Sequence, residues 1–262
     1  MQIRKLCNYL FELYPLENKE IWDPSGFSVK FNLSEKLKAV VSAIDLTNEV
    51  LEKALALDAN LILVHHPFRF YQTWEEEYEI APYKKEILTI LKAKRINVLA
   101  FHTNFDNASF GTSKRIVEKL GLENYLITSQ NPYAAFIKYS TTPNKLIETI
   151  KNKLNLHSFR SNLNSSELNQ EIKNCVVFSG SGSAIEINQM NLEGVDLFIT
   201  SDIKWSDWIN YNQAKIKILE IPHLDEQVFS NVIKNDVLDY FKGKKVNINV
   251  ETVELKEQYH NV

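Results

Sequence analysis

Leu61-Ile62-Leu63-Val64-His65-His66-Pro67 is the stretch that decides the fold. Four consecutive aliphatic residues predict a short strand buried on both faces, the kind found inside a parallel sheet. Pro67 has no amide hydrogen to donate, so ladder pairing stops there. Side chains alternate along a strand, and two neighbouring imidazoles therefore cannot share one core face. They can converge only where the strand ends and the backbone turns, which in an open parallel sheet is where ligands bind. Neutral imidazole is the commonest protein ligand of zinc-like metals. Taken alone, a His-His pair reads more often as two histidines hydrogen-bonded at the surface beside a packed strand, so the rest of the chain has to decide.

Upstream, Lys38-Ala39-Val40-Val41-Ser42-Ala43-Ile44 is a second buried strand, ending at Asp45, and Thr47 is placed to cap a helix from Asn48 to Leu57. With the His-His strand this makes a β-α-β unit with a right-handed crossover and parallel strands. Further upstream, Ile3, Leu6, Cys7, Leu10 and Leu13 fall at helical spacing over residues 3–14. The turn-rich loop Ile21-Trp22-Asp23-Pro24-Ser25-Gly26-Phe27 follows. A loop carrying Trp and Asp is either anchored to the core by the ring or placed at a site, and anchoring is the commoner outcome.

Downstream, Tyr71 to Tyr83 contains Glu75-Glu76-Glu77 and reads as a solvated face or mobile flap. A helix from Tyr83 to Ala93 leads to the strand Ile96-Asn97-Val98-Leu99-Ala100-Phe101, which ends in His102-Thr103-Asn104-Phe105-Asp106. Gly111 opens the next helix and Gly121 closes it. A strand at 133–139 and an amphipathic helix at 144–154 precede an Asn-rich stretch, 162–174, without aromatics, expected to be a linker or exposed loop.

A second α/β block starts with the buried strand Cys175-Val176-Val177-Phe178 and the turn Ser179-Gly180-Ser181-Gly182-Ser183, ahead of a helix from Ala184 to Asn191. Such a turn can cradle phosphate with its amides or simply be a tight connection. Val195 to Thr200 is a further strand, ending at Ser201-Asp202. Trp205 and Trp208 share a face of the next helix and suit a core or subunit interface. Lys217 to Ile221 is the last central strand, closed by Pro222-His223. Asp225-Glu226-Gln227 then begins a helix to about Phe241, and 245–253 alternates like an edge strand. The fold class is α/β, with an N-terminal half at 1–125 and a C-terminal half at 126–262.

The 262 residues carry a net charge of -3, which leaves no basic excess for phosphates and argues against nucleic acid as a partner. Two distant cysteines form neither a disulfide framework nor a thiolate zinc site. No apolar run approaches the roughly 18–20 residues of a membrane span, and Met1-Gln2-Ile3-Arg4-Lys5 does not open a secretory segment. The expectation is a cytoplasmic protein.

The informative pattern is positional. Asp45, His65, His66, His102, Asp106, Asp202 and His223 all fall just past buried strands that precede helices, and four of the six histidines are among them. Turns favour Gly, Pro, Asn, Asp and Ser rather than His, so this gathering predicts a crevice with the ligand chemistry of zinc, iron, manganese or nickel. Ligands on adjacent residues diverge, which points to two divalent ions, able to activate a bridging water, rather than one. A single structural ion and a surface histidine cluster are the alternatives.

These residues resemble a known family. Ile44-Asp45-Leu46-Thr47, Val64-His65-His66-Pro67 and His102-Thr103-Asn104-Phe105-Asp106 are similar to motifs of the Nif-three-like family, whose members are often called GTP cyclohydrolase I type 2 homologues. Trp22-Asp23-Pro24-Ser25-Gly26, Ser179-Gly180-Ser181-Gly182 and Ile199-Thr200-Ser201-Asp202-Ile203-Lys204 resemble its other motifs, in order along nearly the whole chain. The resemblance implies two related α/β halves with mostly parallel sheets around a central metal cleft, and a toroidal homohexamer. It implies His65, His66, Asp106 and His223 as metal ligands, and His102 and Asp45 are candidates to orient those ligands or shuttle protons. The family's last ligand is a Glu four residues after the final His, a position held here by Gln227. Glu226 lies one residue earlier, about 100° round an α-helix, and would need an altered turn to serve. Pro222, Ser201 and Ser206 replace the family's Gly, Gly and His. The implied function is hydrolysis of a nucleotide-sized or phosphoester substrate by metal-activated water. The alternative is a non-enzymatic oligomeric binding or scaffold protein with a partly degraded site. GTP ring opening is suggested by the family name alone, since no guanine-reading constellation stands out.

Overall fold

The computed structural model describes residues 1–260. The chain forms two compact units, one of Met1–Ala108 with Phe229–Leu255, the other of Ser109–Val228 with Lys256 onward. A division in chain order at 125/126 was expected. It differs because the last strand, Asn249–Thr252, pairs parallel with Ala39–Ala43 and so carries the C-terminal helix into the first unit.

The first unit has a five-stranded sheet in the order Gly26–Val29, Asn97–Ala100, Leu61–Val64, Ala39–Ala43, Asn249–Thr252. All its pairings are parallel except that of the Gly26–Val29 edge. The aliphatic runs are apolar throughout because both faces are covered, and the two-residue period sorts them between two cores. Val41, Ile62, Val64 and Val98 pack with Val50, Leu51, Ile87 and Leu91 of the helices Asn48–Ala56 and Lys84–Lys94. Val40, Leu61, Leu63 and Leu99 pack with Ile3, Leu6 and Leu10 of the helix Ile3–Leu13, and with Phe229, Ile233 and Val237 near the C-terminus. Each fully buried aliphatic chain stabilises the fold by about 1.5–3 kcal/mol relative to exposure.

Register matters more for function than the core does. Ala43 pairs with Val64 and Val64 with Ala100, so the three central strands end level. Asp45, His65-His66 and His102 therefore emerge side by side. The edge strand runs the other way, with Gly26 opposite Ala100, and this brings its leading loop, Trp22–Ser25, to the same end of the sheet.

The second unit has six strands in the order Leu126–Ile127, Ala134–Thr141, Ile172–Phe178, Leu197–Thr200, Ile218–Glu220, Arg160–Ser161. Its three central strands are parallel and the outer pairings antiparallel, so this sheet is mixed rather than mostly parallel. Val177, Ile199 and Leu219 face the helices Thr112–Leu120 and Pro143–Leu154, and Val176, Phe198 and Ile218 face Ala184–Asn191 and Trp205–Gln213. Glu220 pairs with Thr200, again levelling the strand ends that carry Ser201-Asp202 and Pro222-His223.

Three local expectations are corrected. The acidic run is a helical face rather than a flap: Thr73 and Glu76 form a reciprocal capping box on the helix Trp74–Ile80, Glu75 and Glu76 are solvated as expected, and Glu77 departs from that reading at 2% exposed. Trp22 does not anchor its loop, since the ring is 66% exposed. Trp205 points outward while Trp208 packs on the core. The 162–174 segment is exposed along most of its length, interrupted by a short 3-10 turn at Glu167–Asn169 and the start of a strand at Ile172. Among the described residues both cysteines are buried and free, and no helix is long and apolar enough to cross a membrane.

Candidate metal centre

In the first unit the imidazoles of His65, His66 and His102 gather, their ring centroids 5.0, 5.2 and 5.4 Å apart pairwise. One ligating atom from each lies within 4.8 Å of the others. Each ring is held through Nδ1. Nδ1 of His65 donates to the Phe101 carbonyl at 2.9 Å, and because a carbonyl only accepts, Nε2 of the neutral ring carries the lone pair. His66 Nδ1 pairs with Asp45 Oδ1 at 3.0 Å and His102 Nδ1 with Asp23 Oδ1 at 3.2 Å. A carboxylate behind an imidazole fixes its tautomer and ring orientation, as is usual for metal-ligating histidines. Asp106, at the end of the short helix Thr103–Asp106, places Oδ1 3.5 Å from His65 Nε2.

Asp23 is the hub of this arrangement. It is 1% exposed and accepts hydrogen bonds from the Ser25 amide (3.0 Å), the Ser25 hydroxyl (2.6 Å), the Thr103 amide (3.0 Å), the Thr103 hydroxyl and His102. Burial alone would raise its pKa, but the hydrogen bonds from His102, Ser25 and Thr103 outweigh that and hold the carboxyl well below the usual range. Sequence reasoning assigned no site role to Asp23 and gave His102 only a supporting one. The spacing Asp23-Pro24-Ser25, an Asx-type turn in which the side chain takes the amide two residues on, was the available signal.

In the second unit the turn after Pro222 sets which side chain faces His223. His223–Gln227 is a 3-10 helix, not the start of an α-helix. At three residues per turn, positions i and i+3 eclipse, so Glu226 lies directly over His223 and Gln227 about 120° away. Glu226 Oε2 sits 3.0 Å from His223 Nε2, and Asp202 Oδ2 sits 2.7 Å from His223 Nδ1. The turn is thus 3-10 rather than α-helical, and it brings Glu226 onto His223. Glu226 is 5% exposed. Burial disfavours the charged imidazole, but the Glu226 charge and the hydrogen bonds to Asp202 and Glu226 push His223 up to about 12. The hydrogen bond from His223 lowers the pKa of Asp202. Burial, then the Glu226 charge, raises that of Asp225 well above a normal carboxyl.

The Ser-Gly-Ser-Gly turn packs against this pair. Gly180 has φ +58°, and a Cβ there would fall 2.5 Å from Glu226 Oε1 and 3.2 Å from His223 Cε1. Only glycine fits. Ser206, where the resemblance implied a histidine, is exposed.

The donors are imidazole nitrogens and carboxylate oxygens, the set that suits zinc, iron, manganese or nickel, and these buried His, Asp and Glu groups could hold metal ions. His157 and His260 lie outside both sets.

Comparison with known proteins agrees over the whole length. The chain is 37% identical over 241 residues to the GTP cyclohydrolase 1 type 2 homolog of Mycoplasmopsis pulmonis, covering 91% of this chain and 94% of that protein. It is 29% identical over 261 residues to the namesake from Ureaplasma parvum, covering 99% and 98%. The fold is shared with a Staphylococcus aureus hypothetical protein, SA1388 (TM-score 0.85, 24% identity, 100% and 99% coverage). It is also shared with a Bacillus cereus protein related to NIF3 (TM-score 0.85, 17% identity, 100% and 99% coverage). The model of one family, Duf34/NIF3 (NGG1p interacting factor 3), matches residues 1–259, and the chain belongs to that family.

Proposed function

We propose that this protein is a metal-dependent hydrolase in which His65, His66, Asp106, His223 and Glu226 hold two divalent ions and act on a nucleotide-sized or phosphoester substrate. The observation that carries this reading is the first donor set: three imidazoles, each fixed at Nδ1 by a carbonyl or a carboxylate, with ligating atoms already within 4.8 Å. Charge supports the participation of both sets. Two dications need anionic ligands, and the first set offers only Asp106 beside its imidazoles, whereas the second offers Glu226. Bound at such donors, divalent ions supply Lewis acidity and lower the pKa of water.

The protein's own groups do the positioning. Asp45 and Asp23 aim His66 and His102, the Phe101 carbonyl aims His65, and Asp202 aims His223. Gln227 is left outside this ligand set, because a neutral amide oxygen suits such ions poorly and its step round the 3-10 turn aims it elsewhere. The relatives' name, GTP cyclohydrolase 1 type 2 homolog, makes a purine nucleotide the first substrate to try. A homo-oligomer, with a toroidal hexamer as its specific form, and a cytoplasmic setting, in keeping with two buried free thiols, belong to the same reading.

The second reading is an oligomeric scaffold that keeps a metal site without turnover, favoured by serine at 201 and 206 where the family motif has Gly and His. Metal analysis with assays on GTP and a generic phosphoester separates the two. The hydrolase reading expects about two ions per subunit and activity lost together with the ions in His65→Ala. Ions without any turnover favour the scaffold, and activity unchanged in His65→Ala refutes the metal mechanism.

A further inference from the structure

Two exposed aromatic rings stand on His102. Trp22 lies 5.8 Å from the imidazole with its plane at 75°, and Phe70 lies 5.8 Å away at 89°. Trp22 is 66% and Phe70 42% exposed, so neither ring serves the core. Large rings left in water at the ends of loops usually sit on mobile segments, but these loops are tied down by two buried carboxylates. Asp23, next to Trp22, gathers the hydrogen bonds described above, and the Glu20 amide donates to the Thr103 hydroxyl at 2.9 Å. Glu77 accepts from the Phe70 amide at 2.7 Å and the Tyr71 amide at 3.0 Å and pairs with Lys84. Phe68, 2% exposed, roots the same loop against Trp74. Burying a carboxylate is costly unless it is fully hydrogen-bonded. Two of them, each locking a loop that delivers an exposed ring to the same histidine, mark a surface built to be presented rigidly.

We propose that Trp22 and Phe70 form a stacking platform, beside the His65/His66/His102 set, for the planar heteroaromatic ring of a nucleoside-type ligand. Aromatic faces accept any flat ring of matching size, and base–aromatic stacking is tolerant of base identity, so the platform selects for planarity rather than for one base. It places a heterocycle next to His102 and leaves the phosphate or sugar end to other groups. The assignment of a nucleotide-sized substrate rests on the metal-centre reading above, but the platform itself does not need an ion in order to be measured.

The test is calorimetric binding of guanosine 5′-monophosphate and of ribose 5-phosphate to the wild-type protein and to Trp22→Ala, Trp22→Phe and Phe70→Ala. Ion content and oligomeric state are measured on the same samples. Wild type is expected to bind the nucleotide more tightly than the sugar phosphate. Trp22→Ala and Phe70→Ala should each weaken nucleotide binding by about 5- to 150-fold, the usual worth of one stacked base. Trp22→Phe should retain most of the affinity, and sugar-phosphate binding and ion content should not move. No preference for the nucleotide, no nucleotide binding at millimolar concentration, or binding in the two alanine variants equal to that of wild type would overturn the platform. So would a change of oligomeric state with nucleotide binding intact, which would assign the rings to another copy of the chain. Ring-dependent binding in a protein that takes up no metal would leave the platform standing and sink the metal centre instead.

Discussion

The two donor sets solve the same problem in opposite ways. In the first unit Nδ1 of each imidazole pairs with the Phe101 carbonyl, Asp45 or Asp23, and Nε2 of His65 faces Asp106 Oδ1 at 3.5 Å. In the second unit His223 is clamped at both nitrogens by carboxylates, Asp202 and Glu226, which favour a protonated ring. In the first set the neutral His65 ring has its lone pair at Nε2, the nitrogen that would take a cation. The second must release a proton to do so, because ligation and protonation compete for one lone pair. The contrast shows that level strand ends alone gather ligands, while the partner of each nitrogen decides when they can be used.

Removing the supporting carboxylate should break this contrast most visibly. Asp23→Ala strands four buried donors from Ser25 and Thr103 and should cost about 3–5 kcal/mol in urea unfolding. The corresponding change in the second unit, Asp202→Ala, removes a side chain 54% exposed and should cost about 0–1 kcal/mol. Equal costs would mean that the two sets are not built differently.

Next in size is Gly180→Ala, which adds a Cβ 2.5 Å from Glu226 Oε1 at φ +58° and should destabilise the protein by about 1–3 kcal/mol. It should also weaken any ion that needs His223 and Glu226. Gly121→Ala, with open space around the Cβ, serves as the control for backbone strain alone.

The pH response should differ in sign between residues. His223 is raised in the folded state, so its contribution to metal-free stability is complete below the unfolded value near 6.5 and is lost progressively as pH climbs toward about 12. Asp23 and Asp202 are lowered, so their contributions are present above the ordinary aspartate value of 3.8 and are lost as pH falls through their depressed values. Unfolding of the metal-free protein at pH 6 and pH 9 should show a smaller penalty for His223→Gln at the higher pH. A pH-independent penalty would contradict the clamp.

Much of this was legible from residues 61–67. Four apolar residues could only be a doubly covered strand, and histidine at its end could only be surface or site. What escaped were features set by geometry at a distance. Asp23 meets His102 across 79 positions, because an antiparallel edge strand turns its leading loop toward the site, and no periodicity encodes strand direction. Glu226 was left in doubt because an α-helix steps 100° per residue, and nothing in His223-Leu224-Asp225-Glu226 announces a 3-10 turn. The buried Glu77 was readable in part, since Thr73-x-x-Glu76 is a capping signature that fixes a helix where the charge run suggested a flap.

The smallest effect should come from Gln227→Glu. Restoring the carboxylate of the family motif one step round from the ligand face should leave ion content nearly unchanged, whereas Glu226→Gln should lower it. The reverse order would return the ligand role to position 227.

Anomalous diffraction from crystals grown with zinc tests the centre most directly. The account predicts an ion about 2.0–2.1 Å from an Nε2 nitrogen of His65 or His66. Zinc absent from both histidines, or bound only at surface carboxylates, would contradict it.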